Sequence, residues 1–334
     1  MVRMLKADDL RELLRKEIIG QDEAVDAVVR AVTVAMLGVT DPKRPLGVFL
    51  FMGPTGTGKS AMARALAKVL HGDEDKVVVV NCTEFKHSHE VSKLIGAPPG
   101  YVGHDEPPFI TPEKIEERFT IVVFEELEKA HPALFDLLLQ IMENGELYTS
   151  KGEKLDFTKC FIIMTSNVSA REIDDITKEA IGFQPPNPPP EDPDKFDRHI
   201  YQVCMQALER SFRPEFINRI DEIIVFRRLK MEHLMRILDK FLLDTRARFA
   251  IAGIGTVIAD DAKAFLLRKG TNLRYGARPL RRAVRQYLEY PLAQFVMNHG
   301  ISERDVVYVH ADTAADQLRF EVRKLKQGEL IVMT

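Results

Sequence analysis

Three cysteines in 334 residues are too few for a disulfide framework, and Cys82, Cys160 and Cys204 lie too far apart for a paired-cysteine zinc site. Cys82 and Cys160 sit in or beside apolar runs, so we read them as buried packing residues. His87, His89 and His104 occupy no metal-ligand spacing either. A net charge of −3 gives no strongly basic surface for nucleic acid. No apolar run is long enough to span a bilayer, and residues 1–6 hold no signal-peptide core. Tandem repeats and heptad arrays are also missing. From these absences we expect a cytoplasmic protein with no nucleic-acid and no membrane partner.

What remains is ordinary globular composition, 45% hydrophobic and 29% charged, in a chain long enough for one large and one smaller domain. Short apolar runs recur at residues 47–52, 77–80, 121–124, 161–164 and 223–226, with helical stretches between them. Runs of that length flanked by helices predict an α/β fold with a parallel five-stranded sheet. The proline-rich stretch 185–190 predicts an exposed loop. Beyond Arg228 the texture changes to a small α+β domain, with helices over 231–249 and 280–297 and strands over 306–309 and 318–322.

The first run leads into Gly53, Pro54, Thr55, Gly56, Thr57, Gly58, Lys59 and Ser60, which fit the phosphate-loop pattern G-x-x-x-x-G-K-[S/T]. A strand before and a helix after give the pattern its meaning. Loop N–H groups and the positive helix end cradle phosphate oxygens, Lys59 neutralises charge, and the Ser60 hydroxyl suits Mg²⁺. The third run ends in Glu125 and Glu126, two acids at the strand end that faces a nucleotide crevice. Glu125 is read as the metal-shell carboxylate and Glu126 as the base that polarises water. The fourth run ends in Thr165, Ser166 and Asn167, where a polar side chain can orient that water or can simply start a loop. Arginines at 213 and 219 precede the fifth run, and spacing alone leaves surface ion pairing open for them.

These residues resemble the Clp branch of the AAA+ ATPases, and most of all the second ATPase module of ClpB and ClpC. The likeness runs from Ile18 to the strands after Val306. It is carried by Gly100-Tyr101-Val102-Gly103, Glu128-Lys129-Ala130-His131-Pro132, Met164-Thr165-Ser166-Asn167, the stretch 212–221, and Tyr275-Gly276-Ala277-Arg278-Pro279-Leu280. It implies an AAA+ P-loop NTPase with a large ATPase domain over residues 1–228 and a small C-terminal domain over 229–334. It also implies that Ile18 and Ile19 line the adenine pocket, that Asn167 is sensor 1 and Arg278 sensor 2, and that Arg219 is an arginine finger acting in trans. The working unit would then be a homo-oligomeric ring, usually a hexamer, that uses ATP and Mg²⁺ to unfold proteins. Tyr101 and Val102 look like the pore loop that grips unfolded or misfolded substrate. The loop over 145–157 falls where the lower pore loop lies.

Ile181, Gly182 and Phe183 resemble the tripeptide that docks a ClpP-type peptidase, although packing on the protein's own surface would also suit them. One departure stands out. The family has Asp-Glu where this chain has Glu125-Glu126, and the extra methylene leads us to expect slower hydrolysis. Two other functions stay open at this point. One is a weakly active nucleotide-binding module that assembles or regulates a ring. The other is a nucleic-acid motor, suggested by Arg278, Arg281, Arg282 and Arg285, whose helical spacing also fits a solvated face.

Overall fold

Residues with apolar side chains on both sides of a strand need cover on both faces, and the five runs find it in one sheet. The computed structural model describes residues 5–97, 107–170, 172–173, 193–272, 275–300, 305–312 and 314–324. Tyr101, Val102, Ile181, Gly182 and Phe183 lie outside the described residues. Backbone contacts divide the chain into two compact units, Met1–Arg227 and Arg228–Thr334.

In the first unit the strands are β1 (Gly47–Met52), β2 (Val77–Asn81), β3 (Thr120–Glu125), β4 (Glu146–Tyr148), β5 (Lys154–Asp156), β6 (Cys160–Ser166) and β7 (Glu222–Val225). Five of them form an all-parallel sheet in the order β2-β3-β6-β1-β7. The helices are α1 (Ala7–Glu17), α2 (Asp22–Leu37), α3 (Lys59–His71), α4 (Ser88–Ile95), α5 (Pro112–Ile115), α6 (Pro132–Asn144), α7 (Pro193–Ser211) and α8 (Pro214–Ile217).

Alternation along β1 splits its side chains between two cores. Phe49 and Phe51 join Ile121, Val123, Phe161 and Ile163 under α1, α2 and α3. Val48, Leu50 and Met52 join Val122, Phe124, Ile162 and Met164 under α6 and α7. Leu10 and Leu14, one turn apart on α1, are fully buried. Gly38 ends α2 and Gly72 ends α3, each with a positive φ that an L side chain would resist.

From β1 the chain crosses to β2 at the far edge, whereas from β6 it leaves for β7 on the opposite side of β1. Loops that diverge in this way open a crevice at the carboxyl ends of the strands, the usual ligand position in such sheets. The sheet is the expected one. The expected loop over 145–157 holds the β4–β5 hairpin, whose three-residue strands carry too little alternation to register in the sequence. Its turn is closed by Gly152 N donating to Thr149 O and Thr149 N donating to Glu153 O. Ser150 N donates to Ile95 O, which ties the turn to the end of α4.

The second unit has a three-stranded sheet of β8 (Gly255–Ile258), β9 (Asp305–Asp312) and β10 (Gln317–Lys324), ordered β10-β9-β8. Its helices are α9 (Met231–Ile251), α10 (Asp260–Gly270), α11 (Arg278–Ala283) and α12 (Tyr290–His299), with a π-helical turn over Val284–Glu289. Leu234, Leu238, Leu266, Leu280, Leu288, Leu292 and Val307 form its core. Pro291, just after the π turn, cannot donate the N–H that an unbroken α-helical ladder needs there.

Gly270 lets α10 approach α11, since a Cβ there would lie 2.7 Å from the Leu280 Cα and 3.0 Å from the Ala283 Cβ. Gly270→Ala is therefore expected to destabilise this unit by about 1–3 kcal/mol, the usual cost of overpacking a core. Urea unfolding of the full chain measures it. An unchanged midpoint would mean that the helices separate freely.

Candidate nucleotide site

The phosphate loop leaves β1 at Gly53, where two constraints meet. Its φ is 133°, and a Cβ would lie 2.4 Å from the Phe226 carbonyl oxygen. Phe226 N in turn donates to Met52 O at 2.8 Å, so the exit of β7 is pressed against the start of the loop. Gly58, at φ 108°, is the opposite case: a Cβ there meets nothing within 4 Å. A side chain would be strained and would fill the concavity, which glycine leaves to a ligand. Thr57 Oγ1 donates to Pro54 O at 2.9 Å and closes the loop on itself.

Lys59 opens α3 and is only 7% exposed. Its ammonium donates to Gly53 O at 2.6 Å, Pro54 O at 2.8 Å and Asn167 Oδ1 at 2.9 Å. Thr55 Oγ1 donates to the same Asn167 oxygen at 3.5 Å. Thus the lysine after β1 and the asparagine after β6 meet directly across the crevice. Ser60 follows Lys59 in the first turn of α3 and is half-buried. A buried cation, a glycine concavity and a helix amino terminus are a donor set suited to polyphosphate.

At the end of β3, Glu125 pairs in register with Asn81 of β2. Glu126 then takes a left-handed conformation, φ 57° and ψ 50°, unusual for a non-glycine residue. Its N–H donates to Thr165 Oγ1 at 3.2 Å, which fixes it against β6. Its carboxylate is ion-paired with Lys129 at i+3 along a 3₁₀ turn, where such residues eclipse. The hydrogen bond to Glu126 pushes the Lys129 ammonium above its ordinary range.

Glu128 Oε1 accepts from Asn167 N at 3.2 Å, while its buried Oε2 has no hydrogen-bond partner among the described residues. Burial, followed by the charges of Glu128, Glu125 and Glu126, pushes the Cys82 thiol up to about 12. Cys82 is therefore an inert packing residue.

Ile18 is 6% exposed at the end of α1, and Ile19 follows it in the turn to α2. Gln21, at the start of α2, links this turn to the phosphate loop by donating to Thr57 O at 3.1 Å.

Two other candidates are carried by other parts of the chain. Arg219 precedes β7 at the amino-terminal edge of the sheet, half-exposed and ion-paired with Glu143 at 2.8 Å. Its carbonyl accepts from Arg44 Nη2 at 3.1 Å, and Arg44 pairs with Asp221, which in turn accepts from Val48 N. The length of β1, six residues at about 3.3 Å each or roughly 20 Å, separates that edge from the loop of the same chain. Arg278 is an exposed residue that opens α11 in the second unit. Near it, Arg281 and Arg285 stack on Phe241 and Tyr290, so part of the arginine cluster serves its own fold. Among the described residues no three His, Cys, Asp or Glu side chains form a metal cluster.

Glu128 and Lys129 enter the sequence reading only as part of the motif over 128–132, and neither they nor Gln21 are given a role there. For Lys129 a signal existed, the i,i+3 spacing from Glu126. The other two act through contacts 36 and 39 residues away along the chain.

The family profile described as "AAA domain (Cdc48 subfamily)" matches residues 44–223, and that of the "C-terminal, D2-small domain, of ClpB protein" matches residues 229–309. The Bacillus subtilis (strain 168) protein named negative regulator of genetic competence ClpC/MecB is 42% identical over 293 residues, 88% of this chain and 35% of the relative. The ATP-dependent Clp protease ATP-binding subunit ClpC of Staphylococcus aureus (strain USA300) is 39% identical over 303 residues, 91% of this chain and 36% of the relative. The chain thus spans about a third of the length of these relatives. A closed-state cryo-EM reconstruction of Hsp104 with ATPγS and FITC casein superposes with a TM-score of 0.79 at 30% identity, over 95% of this chain and 52% of that one. With a phosphate loop, a buried lysine and paired strand-end acids on a parallel sheet of this order, the chain belongs to the AAA family, and its second unit matches the small domain of ClpB.

Proposed function

We propose that this chain is the ATP-hydrolysing motor of a protein unfoldase, which assembles as a ring of six and draws polypeptide through a central pore. The observation that carries this reading is that Lys59, Asn167 and Glu126 follow three different strands at one end of the sheet, with Lys59 bonded to Asn167 and Glu126 held on Thr165, two residues before that asparagine.

Lys59 neutralises the β- and γ-phosphates of ATP. Asn167, already bonded to Lys59 and Thr55, orients the attacking water, and Glu126 takes its proton. Ser60 and Glu125 would hold Mg²⁺, which supplies charge neutralisation across the phosphates when bound. Ile18 and Ile19 receive the adenine. The placement of Arg219, a sheet length from its own loop, supports its acting on a neighbouring subunit's nucleotide. Arg278 is the second unit's contribution to the same chemistry.

Unfolded or misfolded proteins are the proposed substrates, gripped by Tyr101 and Val102; the casein-bound Hsp104 relative supports this class. The relatives named as Clp protease subunits support a ClpP-type peptidase partner, docked through Ile181, Gly182 and Phe183. Three buried, unpaired cysteines suit the reducing cytoplasm. No helix among the described residues is long and apolar enough to cross a membrane.

The test is ATP-dependent loss of fluorescence from a fused, stably folded reporter. Tyr101→Ala should keep ATP turnover and lose unfolding, and full unfolding by that variant would defeat the pore assignment. A second reading, a weakly active ring-assembly module, is favoured by Glu125 in place of aspartate. Steady-state phosphate release by the unaltered chain separates the two.

A further inference from the structure

Gln21 is 4% exposed, and its primary amide uses every strong hydrogen-bonding group it has. Nε2 donates to Thr57 O at 3.1 Å and to Arg227 O at 2.8 Å, while Oε1 accepts from Arg227 N at 3.0 Å. The amide thus grips Arg227 by both backbone groups and holds the phosphate loop with its remaining hydrogen. Arg227 is the last residue of the first unit, and the second unit begins at Arg228.

One residue earlier, the Phe226 carbonyl occupies the space where Gly53 would carry a Cβ, at 2.4 Å. Gly53 at the start of the loop and Thr57 within it therefore both bear on the two residues through which the chain leaves the first unit. A planar amide has no soft torsion between its oxygen and its nitrogen, so one rigid group carries the bonds to both Thr57 and Arg227. A buried carbonyl that loses its donor is costly, which keeps this link closed.

We propose that Gln21 is a positioning residue that transmits the state of the phosphate loop to the hinge at Arg227 and Arg228, so that nucleotide binding moves the second unit. This rests on the motor reading, and it adds the side chain that turns a bound phosphate into movement. Gln21 touches neither phosphate nor water in this role; it acts through Thr57 and Arg227.

The experiment uses the full chain with fluorophores on cysteines introduced at Leu37 and Met297, both exposed and in different units, while the native cysteines are buried. Energy transfer is read with and without ATPγS, and ATPγS affinity is measured separately. The parent should show a nucleotide-dependent change in transfer. Gln21→Met keeps the volume but loses all three bonds, and should bind ATPγS within about threefold of the parent while losing at least half of that change. Gln21→Glu presents an acceptor to two carbonyls. It should fail at neutral pH and recover in part at acid pH, where a protonated carboxyl regains one donor.

Full nucleotide-dependent change in either variant at neutral pH would overturn the proposal. So would a parent that shows no change, or variants that lose folding and ATPγS binding together, which would make Gln21 a scaffold only. A parent that moves but hydrolyses no ATP would sink the motor reading and leave this link standing.

Discussion

Lys59→Ala is expected to cut ATP turnover by about 100- to 1,000-fold, the loss typical of removing one preorganised donor from developing charge. ATP affinity should fall as well, by about 10- to 150-fold, as for a charge-assisted hydrogen bond of about 1.5–3 kcal/mol. The reasoning follows from where the ammonium sits. It is almost wholly buried and is held by Gly53 O, Pro54 O and Asn167 Oδ1, so its position is set before any ligand arrives. No other cation in the loop, residues 53–60, can replace it. The same change also removes the bond between the start of α3 and the asparagine after β6, so Asn167 Oδ1 keeps only its longer contact with Thr55. Phosphate release and equilibrium binding of a fluorescent nucleotide read the two effects separately. Turnover near the parent level would show that the loop binds something other than the reacting nucleotide.

Glu126→Gln should give a different signature. Turnover is expected to fall by about 10²- to 10⁴-fold, the usual contribution of a positioned general base. Affinity for ATP should be unchanged, because glutamine keeps the shape and Lys59 is untouched. The backbone supports this assignment. Glu126 is held in the left-handed region at φ 57°, with its N–H on Thr165 and its carboxylate beside Lys129. Strain of that kind persists where surrounding structure over-determines it, and functional sites are where it collects. The variant should therefore trap ATP in the site, visible as slow release of bound radiolabelled nucleotide. A variant that still turns over within a few-fold of the parent would transfer the base role to another of the clustered acids, Glu125 or Glu128.

Much of this site could be read before any coordinates. A glycine-rich loop between an apolar run and a helix has one common use, and two acids ending the third run point to the same crevice. Those features are local: the residues that define them are within a few positions of each other. The β4–β5 hairpin and β8 are short and lack the unbroken apolar run that marks β7, a strand of the same four-residue length as β8. Glu128 was visible as a motif residue, but its contact escaped because its backbone partner, Asn167, is 39 residues away, after a different strand. The arginine at 219 was visible as a residue, yet nothing in its spacing told which edge of the sheet would carry it.

By itself, the order of residues determined the parallel sheet and placed a lysine in the loop after β1 and two acids at the end of β3, because burial on two faces and phosphate capture both demand particular residue types close together in the chain. Tertiary structure alone decided which groups meet: Lys59 with Asn167, Glu126 with Thr165, and Gln21 with Thr57 and Arg227. These pairs join segments up to 206 residues apart, and only the stacking of strands in the order β2-β3-β6-β1-β7 brings them within a hydrogen bond's length.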